Sequence, residues 1–543
     1  MPELESHSES LDLTLDVTVD GTAVTVPGGQ IKGISLKLEP WGFEGYLEFW
    51  VDVETADDDL LDHFITQKPA TVDMTIAAGL VTGEEEAMPL TLKGVVTRKA
   101  LLRELTLENK EIGSDPVLFR YYSVTFADEG RVLWGQHYPC DLLVDAPLKD
   151  LLDANACGLS LKTQWDPISE ERAINVLPGF CEPGCASFYD LLIWLCESRN
   201  GMLLYDYETG EYSLTSEKVD GEATVSLSRD HLDDYGMHFP ETPRYAERML
   251  NSYAQGAETK EITREEALPE VFRDYPGSFP IPAQFQSTSS LITEKVRSRS
   301  LEVQMVHSRF PAEIYCPGAM FEFRSGYWSK NTLVAGSVFR VISVYIEAHG
   351  EKDNPLALQK KSKGDFEITM TSVGEANDEL YLPIPSYVTP KYPIYLEGLV
   401  VSEEGAEEET TYQVYEASDT SAESYKVEIP LLKDQQVVAP LEPIFATGHF
   451  YFPAYKGQRV LVALGLHDAK IVQFLEYGPG CQLPMESQGN HLLLGKTAED
   501  GTSIKHVYVD GKPQLNIERT SEKDKVSLQI QEGTIVLQTL EEK

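Results

Sequence analysis

The sequence has 543 residues, of which 42% are hydrophobic and 10% aromatic, and 88 acidic against 45 basic residues give it a net charge of −43. This apolar content is typical of a folded globular protein, and the length predicts roughly three or four domains rather than a single core. The charge argues against nucleic acid and anionic lipid as partners, because both are bound through Lys and Arg.

The N-terminal residues lack the basic and apolar regions of a secretory signal peptide, and no apolar run approaches the ~18 residues that a membrane helix needs. Seven cysteines scattered along the chain suit a reducing compartment. We therefore expect a protein that is made and folded in the cytoplasm, and that leaves the cell, if it does, without these standard signals.

Residues 1–145 are predicted to form a first β-barrel region. Its opening strand alternates apolar and polar residues up to a turn at Asp20–Gly21; the apolar positions are Leu11, Leu13, Leu15, Val17 and Val19. Residues 146–200 are predicted to form a small helical insert. Its clearer helix begins with a capping box of Ser187 and Asp190 and ends at Gly201.

Residues 201–380 read as a second β-barrel region, which opens with two strands joined by a turn at Thr209–Gly210. A polar, Pro-punctuated linker follows. Residues 388–480 have the strand number and spacing of a small Greek-key barrel, and residues 485–543 are short strands broken by Gly, Lys and Asp.

The last twenty residues alternate like strands, with Val526, Leu528 and Ile530 on one side and Ile535 and Leu537 continuing the pattern. A two-stranded amphipathic tail is marginal by itself, and an unpaired strand edge favours self-association. Burying three such side chains per chain would contribute roughly 5–9 kcal/mol. We therefore expect this face to be covered by other copies of the chain.

Candidate metal and cofactor sites are weak, and the sequence predicts neither. Cys181 and Cys185 flank a Pro–Gly turn, but no second Cys or His pair accompanies them, so a structural turn is the favoured interpretation over zinc. His491 and His506 in the tail could bind iron or zinc on a spike axis, although lone histidines on amphipathic strands are more often packing or surface residues.

Catalytic motifs give no support for an enzyme. The segment from Gly489 to Gly495 is similar to a phosphate-binding loop, but it has one residue too many and reads as a strand, so its amides cannot wrap a phosphate. Neither a metalloprotease HExxH helix nor a GxSxG nucleophile elbow is present in the sequence. We predict that the protein is not an enzyme.

Two stretches resemble the VgrG family, the hub-and-spike proteins of type VI secretion and related contractile injection systems, which are themselves similar to the hub and spike of phage tails. The first stretch is a helix, a Gly and a strand pair, and it matches at Phe188, Tyr189, Leu192, Trp194, Gly201, Leu204 and Tyr205. The second stretch is a barrel strand, and it matches at Pro453, Gly457, Gln458, Val460 and Val462. The second has one extra residue between the Pro and the Gly, and the family's Trp-rich run before it is replaced by TGHFYFPAYKG.

The resemblance implies a mainly β fold: an N-terminal β-barrel hub with a small helical insert, an OB-type barrel, and a short C-terminal β-prism in which three chains intertwine. It implies a homotrimeric spike that sits on a hexameric tube, contacts baseplate components, can carry effectors, and touches a membrane only during penetration. The spike core would then comprise Leu515, Ile517, Val526, Leu528 and Ile530. A cap protein of the PAAR type would bind near Ile535, Leu537, Thr539 and Leu540.

Other interpretations stay open. The sequence does not decide between a secretion system and a phage-tail-like extracellular particle. A secreted multi-domain carbohydrate-binding or adhesin-like protein is the alternative, supported by the aromatic segments SGYWSK (325–330) and YGPGC (477–481). An enzyme carried within the hub region is a third possibility, for which no motif is found.

Overall fold

A computed structural model describes residues 6–53, 60–80, 87–107, 116–324, 326, 328–355, 361–406, 409–416, 423–441, 451–478, 480–497 and 499–541. The chain divides into two compact units. The first unit comprises Met1–Tyr138, Leu152–Ser169 and Phe180–Pro390, and the second comprises Pro139–Leu151, Glu170–Gly179 and Lys391–Lys543.

The structure is mainly β, as predicted. The strands up to residue 215 are β1 (His7–Val19), β2 (Thr22–Pro27), β3 (Ile31–Glu39), β4 (Gly42–Asp52), β5 (Ala70–Ala78), β6 (Leu90–Leu107), β7 (Val117–Ala127), β8 (Cys140–Pro147), β9 (Leu161–Lys162), β10 (Glu171–Pro178), β11 (Met202–Tyr205) and β12 (Tyr212–Thr215). The strands from residue 225 to 376 are β13 (Val225–Leu227), β14 (Leu232–His238), β15 (Ala246–Asn251), β16 (Glu258–Ile262), β17 (Phe272–Gly277), β18 (Glu302–His307), β19 (Met320–Phe323), β20 (Val338–Gly350) and β21 (Lys363–Ala376).

The strands of the last third belong to the second unit. They are β22 (Ile394–Val401), β23 (Tyr415–Glu416), β24 (Glu423–Ile429), β25 (Gln435–Pro440), β26 (Arg459–Leu464), β27 (Ala469–Phe474), β28 (Gly489–Gly495), β29 (Asp500–Val509), β30 (Lys512–Ser521), β31 (Asp524–Gln531) and β32 (Thr534–Leu540). The α-helices within the described residues are α1 (Leu60–Phe64), α2 (Glu129–Trp134), α3 (Leu148–Ala154), α4 (Asp166–Ser169), α5 (Phe188–Ser198) and α6 (Pro282–Glu294).

The first unit is organised around one large sheet, which has thirteen strands in the described part of the chain. Taken in the order β20, β3, β4, β7, β6, β5, β1 and β21, its neighbouring strands pair, and β20 also pairs with β21, so these strands close into a barrel. Closure leaves these eight barrel strands without a free edge strand. The predicted hub barrel is therefore present.

The long strands β20 and β21 are shared between this barrel and a second, open sheet. Residues 363–368 of β21 pair with β1 of the barrel, whereas residues 371–375 pair with β18. Likewise β20 pairs with β3 through residues 344–349 and with β19 through residues 338–340. Residues 1–145 and 201–380, which we predicted as consecutive barrel regions, thus contribute strands to one continuous sheet.

The barrel core follows from strand alternation in the sequence. The five apolar residues predicted to share one face of the first strand are each no more than 1% exposed; they are Leu11, Leu13, Leu15, Val17 and Val19. They belong to the apolar cluster that fills the barrel, together with residues of β3, β4, β5, β20 and β21. Burial of this set supplies the main stabilisation of the first unit.

Helix α5 begins as predicted. The Ser187 hydroxyl accepts the Asp190 amide, and the Asp190 carboxylate accepts the Ser187 amide, so the capping box is complete. Its end differs in detail from the prediction, because Asn200, not Gly201, takes the left-handed conformation, with φ 54°. Gly201 is required for space instead, since a Cβ there would lie 2.3 Å from the Trp165 ring.

The second unit contains a small barrel of the predicted OB type. In its sheet, β24, β22, β26 and β27 follow one another and β25 pairs with β24; a bridge from Leu441 to Ile471 brings the end of β25 to β27. The Gly–Gln motif makes the turn before β26: Gly457 has φ 81°, and the Gln458 side chain accepts the Tyr455 amide at 2.8 Å. None of the described helices is long and apolar enough to cross a membrane.

Candidate functional site: the apolar face of the C-terminal sheet

The C-terminal residues form a five-stranded antiparallel meander, β28 to β32, in which each strand pairs with the next. Two-residue turns set its geometry. Asp510 and Gly511 have φ of 50° and 75°, as a type I′ turn requires, and Gly533 has φ of 71° in the turn before β32. Such turns fix the register, and the register decides which side chains share a face.

The register aligns a single row of large apolar side chains across all five strands. Leu492 lies opposite Ile504, which lies opposite Ile517. Leu528 lies opposite Ile517 and Leu537 opposite Leu528. Because residues directly opposite one another project from the same face of a sheet, this row forms a continuous apolar stripe.

The neighbouring rows extend this stripe into what we call the apolar face. Its members are Leu492 and Leu494 of β28, Ile504 of β29, Leu515 and Ile517 of β30, Val526, Leu528 and Ile530 of β31, and Ile535 and Leu537 of β32. The central rows of the opposite face are mostly polar: His491, Leu493, Ser503, Lys505, Asn516, Glu518, Ser527, Gln529, Val536 and Gln538.

The apolar face is open in a single chain. Ile535 and Leu537 are each 73% exposed, Val526 is 47% exposed and Leu494 is 44% exposed. Every residue of β32 is exposed, and among the described strands β32 pairs with β31 alone, which leaves its outer edge unpaired there. A surface that combines an apolar stripe with an open strand edge has the properties of an association site.

The residues expected to form the spike core and the tip site fall on this sheet. All five core residues lie on the apolar face, and so do Ile535 and Leu537, while Thr539 lies opposite Val526 in the same face. Leu540 lies opposite Lys525 and projects from the other face. The register therefore separates Leu540 from the other residues proposed for the tip.

Strands β28 and β29 contribute residues to the apolar face that were not predicted from the sequence. The sequence predicts short strands here, but Leu492, Leu494 and Ile504 are not among the residues predicted for the spike core. The signal was available, because residues 489–495 and 500–509 have the same two-residue period as the last strands.

The two tail histidines lie on opposite faces of the sheet. Both ring nitrogens of His491 lie 2.8 Å from a partner, Nδ1 from the carbonyl of Cys481 and Nε2 from the hydroxyl of Ser503. His506 stacks edge-on against Tyr508 and shares a row with Leu515. Within the described residues no group of three or more His, Cys, Asp or Glu side chains is arranged to hold a metal ion.

A cavity of about 1150 Å³ opens in the first unit, and three of its charged lining residues form ion pairs, Lys218 and Arg340 each with Glu375. Glu375, which is 1% exposed, lies 2.6 Å from the Lys218 ammonium and 2.9 Å from the Arg340 guanidinium. Burial lowers the pKa of Lys218, and the Glu375 carboxylate partly offsets this. The arrangement is an internal ion cluster that holds β20 and β21 to the segment around Lys218.

The aromatic segments behind the carbohydrate-binding alternative are only partly described, since residues 325, 327 and 479 lie outside the described residues. Trp328 is half-buried, packs edge-on against Tyr235 and Phe323, and donates its indole N–H to the carbonyl of Leu227 at 3.2 Å. Its ring is thus engaged in packing.

Comparison with solved structures finds the same fold in chains of PdpA-VgrG complexes. The chain is similar to a chain of the lidded Francisella PdpA-VgrG complex, with 13% identity and a TM-score of 0.71 over 99% of this chain and 81% of that chain. Similarity to the lidless form of the PdpA-VgrG complex has the same identity and TM-score over 98% of each chain, and the half-lidded Francisella complex gives 12% identity and a TM-score of 0.69 over 97% of this chain and 88% of that chain. No family model and no curated protein matches the chain. The VgrG-like architecture predicted from the sequence is therefore confirmed at the level of the fold.

Proposed function

We propose, from a fold shared with a chain of VgrG-containing complexes, that this protein is the hub-and-spike subunit at the tip of a contractile injection machine. It acts as a homotrimer. Three C-terminal sheets turn their apolar faces toward one axis and form a triangular β-prism. The observation that carries the proposal is the apolar row that crosses all five strands, with Leu492 37% and Leu537 73% exposed at its two ends.

The free energy gained by burying apolar side chains favours association through this face. Fully burying a Leu or Ile side chain contributes about 1.5–3 kcal/mol, and the apolar face presents such side chains from each of its five strands. Association must also overcome electrostatic repulsion, because three chains together carry 3 × (−43), or −129. Large apolar interfaces are needed to prevail over that charge.

The first unit would form the base of the particle. The first units of three chains would form a ring that binds the hexameric tube. Each chain would contribute its barrel and its open sheet to this ring, so that the threefold assembly would match the tube with approximate sixfold symmetry. Baseplate components and transported effectors would contact this base. The trimer core would include Leu515, Ile517, Val526, Leu528 and Ile530.

The far end of the prism would carry the cap. In this arrangement β32 is the last strand of each sheet, and its unpaired outer edge offers backbone groups to a PAAR-type protein, with Ile535, Leu537, Thr539 and Leu540 nearby. Contraction of a sheath would then drive the capped spike through a target membrane. The role is mechanical, without catalysis, and the protein would be cytoplasmic until the machine assembles and expels it.

The mass of the protein in solution tests this proposal. Multi-angle light scattering on the purified full chain should give a trimer of about 182 kDa, three times 60.6 kDa. Electron microscopy of the same sample should show a threefold particle with a narrow extension. A stable monomer at micromolar concentration, or a dimer, would overturn the proposed assembly.

A further inference from the structure

The loop before helix α5 brings two cysteines together. Cys181 and Cys185 flank a turn in which the Cys185 amide donates to the Glu182 carbonyl at 3.1 Å. Pro183 occupies the second position of this turn and Gly184 the third, with φ of 80°, which is the pattern of a type II turn. The turn follows Cys181 directly and ends at Cys185, so the chain reverses between the two cysteines.

The two thiols differ in access and in environment. Cys181 is exposed, whereas Cys185 is 5% exposed. Burial raises the pKa of Cys185, but hydrogen bonds at the Glu182 and Cys181 backbone and from the Cys181 thiol outweigh it, so this pKa lies below its usual value. By contrast, burial raises the pKa of Cys196, in α5, to about 12.

We propose that Cys181 and Cys185 form a reversible intramolecular disulfide by exchange with a small disulfide of the glutathione type. This site goes beyond the spike function and does not depend on it. The structure holds both residues as thiols, at the two ends of a segment in which the Glu182–Cys185 turn reverses the chain. A metal site is not favoured, because no third ligand accompanies them among the described residues.

The exchange follows from the exposure of each thiol. The Cys181 thiolate attacks one sulfur of the incoming disulfide, which forms a mixed disulfide at Cys181 and releases one small thiolate. The Cys185 thiolate then attacks the Cys181 sulfur, forms the internal bond and releases the second small thiolate, and solvent protons complete the two leaving thiols. In sum, two protein thiols are oxidised and one small disulfide is reduced to two thiols. The turn between Cys181 and Cys185 would then be closed covalently, two residues before the Ser187 cap of α5.

Thiol mapping across a series of glutathione buffers tests the proposal. The folded full-length protein is equilibrated at fixed ratios of reduced to oxidised glutathione, quenched with acid, alkylated and digested with trypsin. Cleavage after Arg172 and Arg199 yields one peptide with Cys181, Cys185 and Cys196, and fragmentation distinguishes the three. With oxidised glutathione in excess, this peptide should lose two hydrogens between Cys181 and Cys185, and excess reduced glutathione should reverse the change.

Single substitutions distinguish the thiol that first reacts with glutathione, Cys181, from the thiol that then displaces the glutathione, Cys185. In Cys185→Ser, glutathione should remain attached to Cys181, at least an order of magnitude more than in the native chain, because nothing displaces it. In Cys181→Ser, Cys185 should stay unmodified because it is buried. Cys157→Ser, which removes another exposed cysteine of the first unit, should leave the transition unchanged.

Two results would overturn the proposal. One is that both thiols of the native chain stay alkylatable under excess oxidised glutathione. The other is that the native chain accumulates glutathione on Cys181 as fully as Cys185→Ser does. The first result is read on the native chain alone, so it would overturn the proposal even if the Cys185→Ser variant folded poorly.

Discussion

Removing Leu537 from the apolar face should weaken the trimer strongly. Leu537 is 73% exposed in the single chain and would be covered in the prism. With about 1.5–3 kcal/mol for complete burial of a Leu side chain, that fraction corresponds to about 1–2 kcal/mol per chain. Three chains lose it together, so Leu537→Ser should cost about 3–7 kcal/mol per trimer and raise the trimer-to-monomer dissociation constant by about two to five orders of magnitude.

The same strand supplies the control. Leu540 is the same residue type and 55% exposed, but the register puts it on the opposite face. Sedimentation equilibrium of both variants over a wide concentration range, in one buffer, should show dissociation of Leu537→Ser at concentrations where Leu540→Ser and the native chain remain trimeric. Equal behaviour of the two variants would refute the assignment of the faces. A Leu537→Ser trimer as tight as the native one would refute the burial argument itself.

Further predictions concern charge, capping, packing and pH. Raising the ionic strength from about 10 mM to about 150 mM should increase the trimer fraction, because the screening length falls from about 30 Å to about 8 Å between chains that each carry −43; a decrease would contradict it. Ser187→Ala should lower the free energy of unfolding of the first unit by about 1 kcal/mol in urea titration, through loss of the helix cap, and an unchanged midpoint would count against that. Gly201→Ala should cost about 1–3 kcal/mol because its Cβ meets the Trp165 ring, whereas Gly221→Ala, which has open space around it, should leave the thermal midpoint unchanged. Burial lowers the pKa of His307 from 6.5 to about 3, so the unfolded chain binds a proton that the folded chain does not. Stability from this group is full above pH 6.5 and falls toward pH 3 by up to about 1.4 kcal/mol per pH unit, and His307→Gln should flatten that slope in thermal melts.

The elements predicted correctly from the sequence are those whose structure is determined by residues close to them in the chain. The alternation from Leu11 to Val19 marked a strand that is buried on one face, and Ser187 with Asp190 marked the start of α5. The two-residue period of the last twenty residues likewise marked strands that the structure contains. In each case the information lies within about ten residues of the element.

The pairing of strands that lie far apart in the sequence could not be predicted in this way. The residues around Lys363 do not indicate that their strand pairs with β1 or that it is shared between two sheets, because pairing partners are set by tertiary packing. The full width of the apolar face also depended on register, which places Leu492 in line with Leu537 across three intervening strands. Alternation alone gave only its last two strands.

The pairing of His7 to Asp12 with residues 363–368 sets a schedule for synthesis. At about 5–20 residues per second, the ribosome needs roughly 20–70 s to add the partner segment after the first strand has emerged. Throughout that interval the edge of the first strand that will pair with residues 363–368 has no partner there, and an unpaired strand edge favours self-association. We therefore expect chains made from messages truncated before Lys363 to be prone to aggregation and proteolysis. We also expect the protein to need chaperones most before it is released from the ribosome.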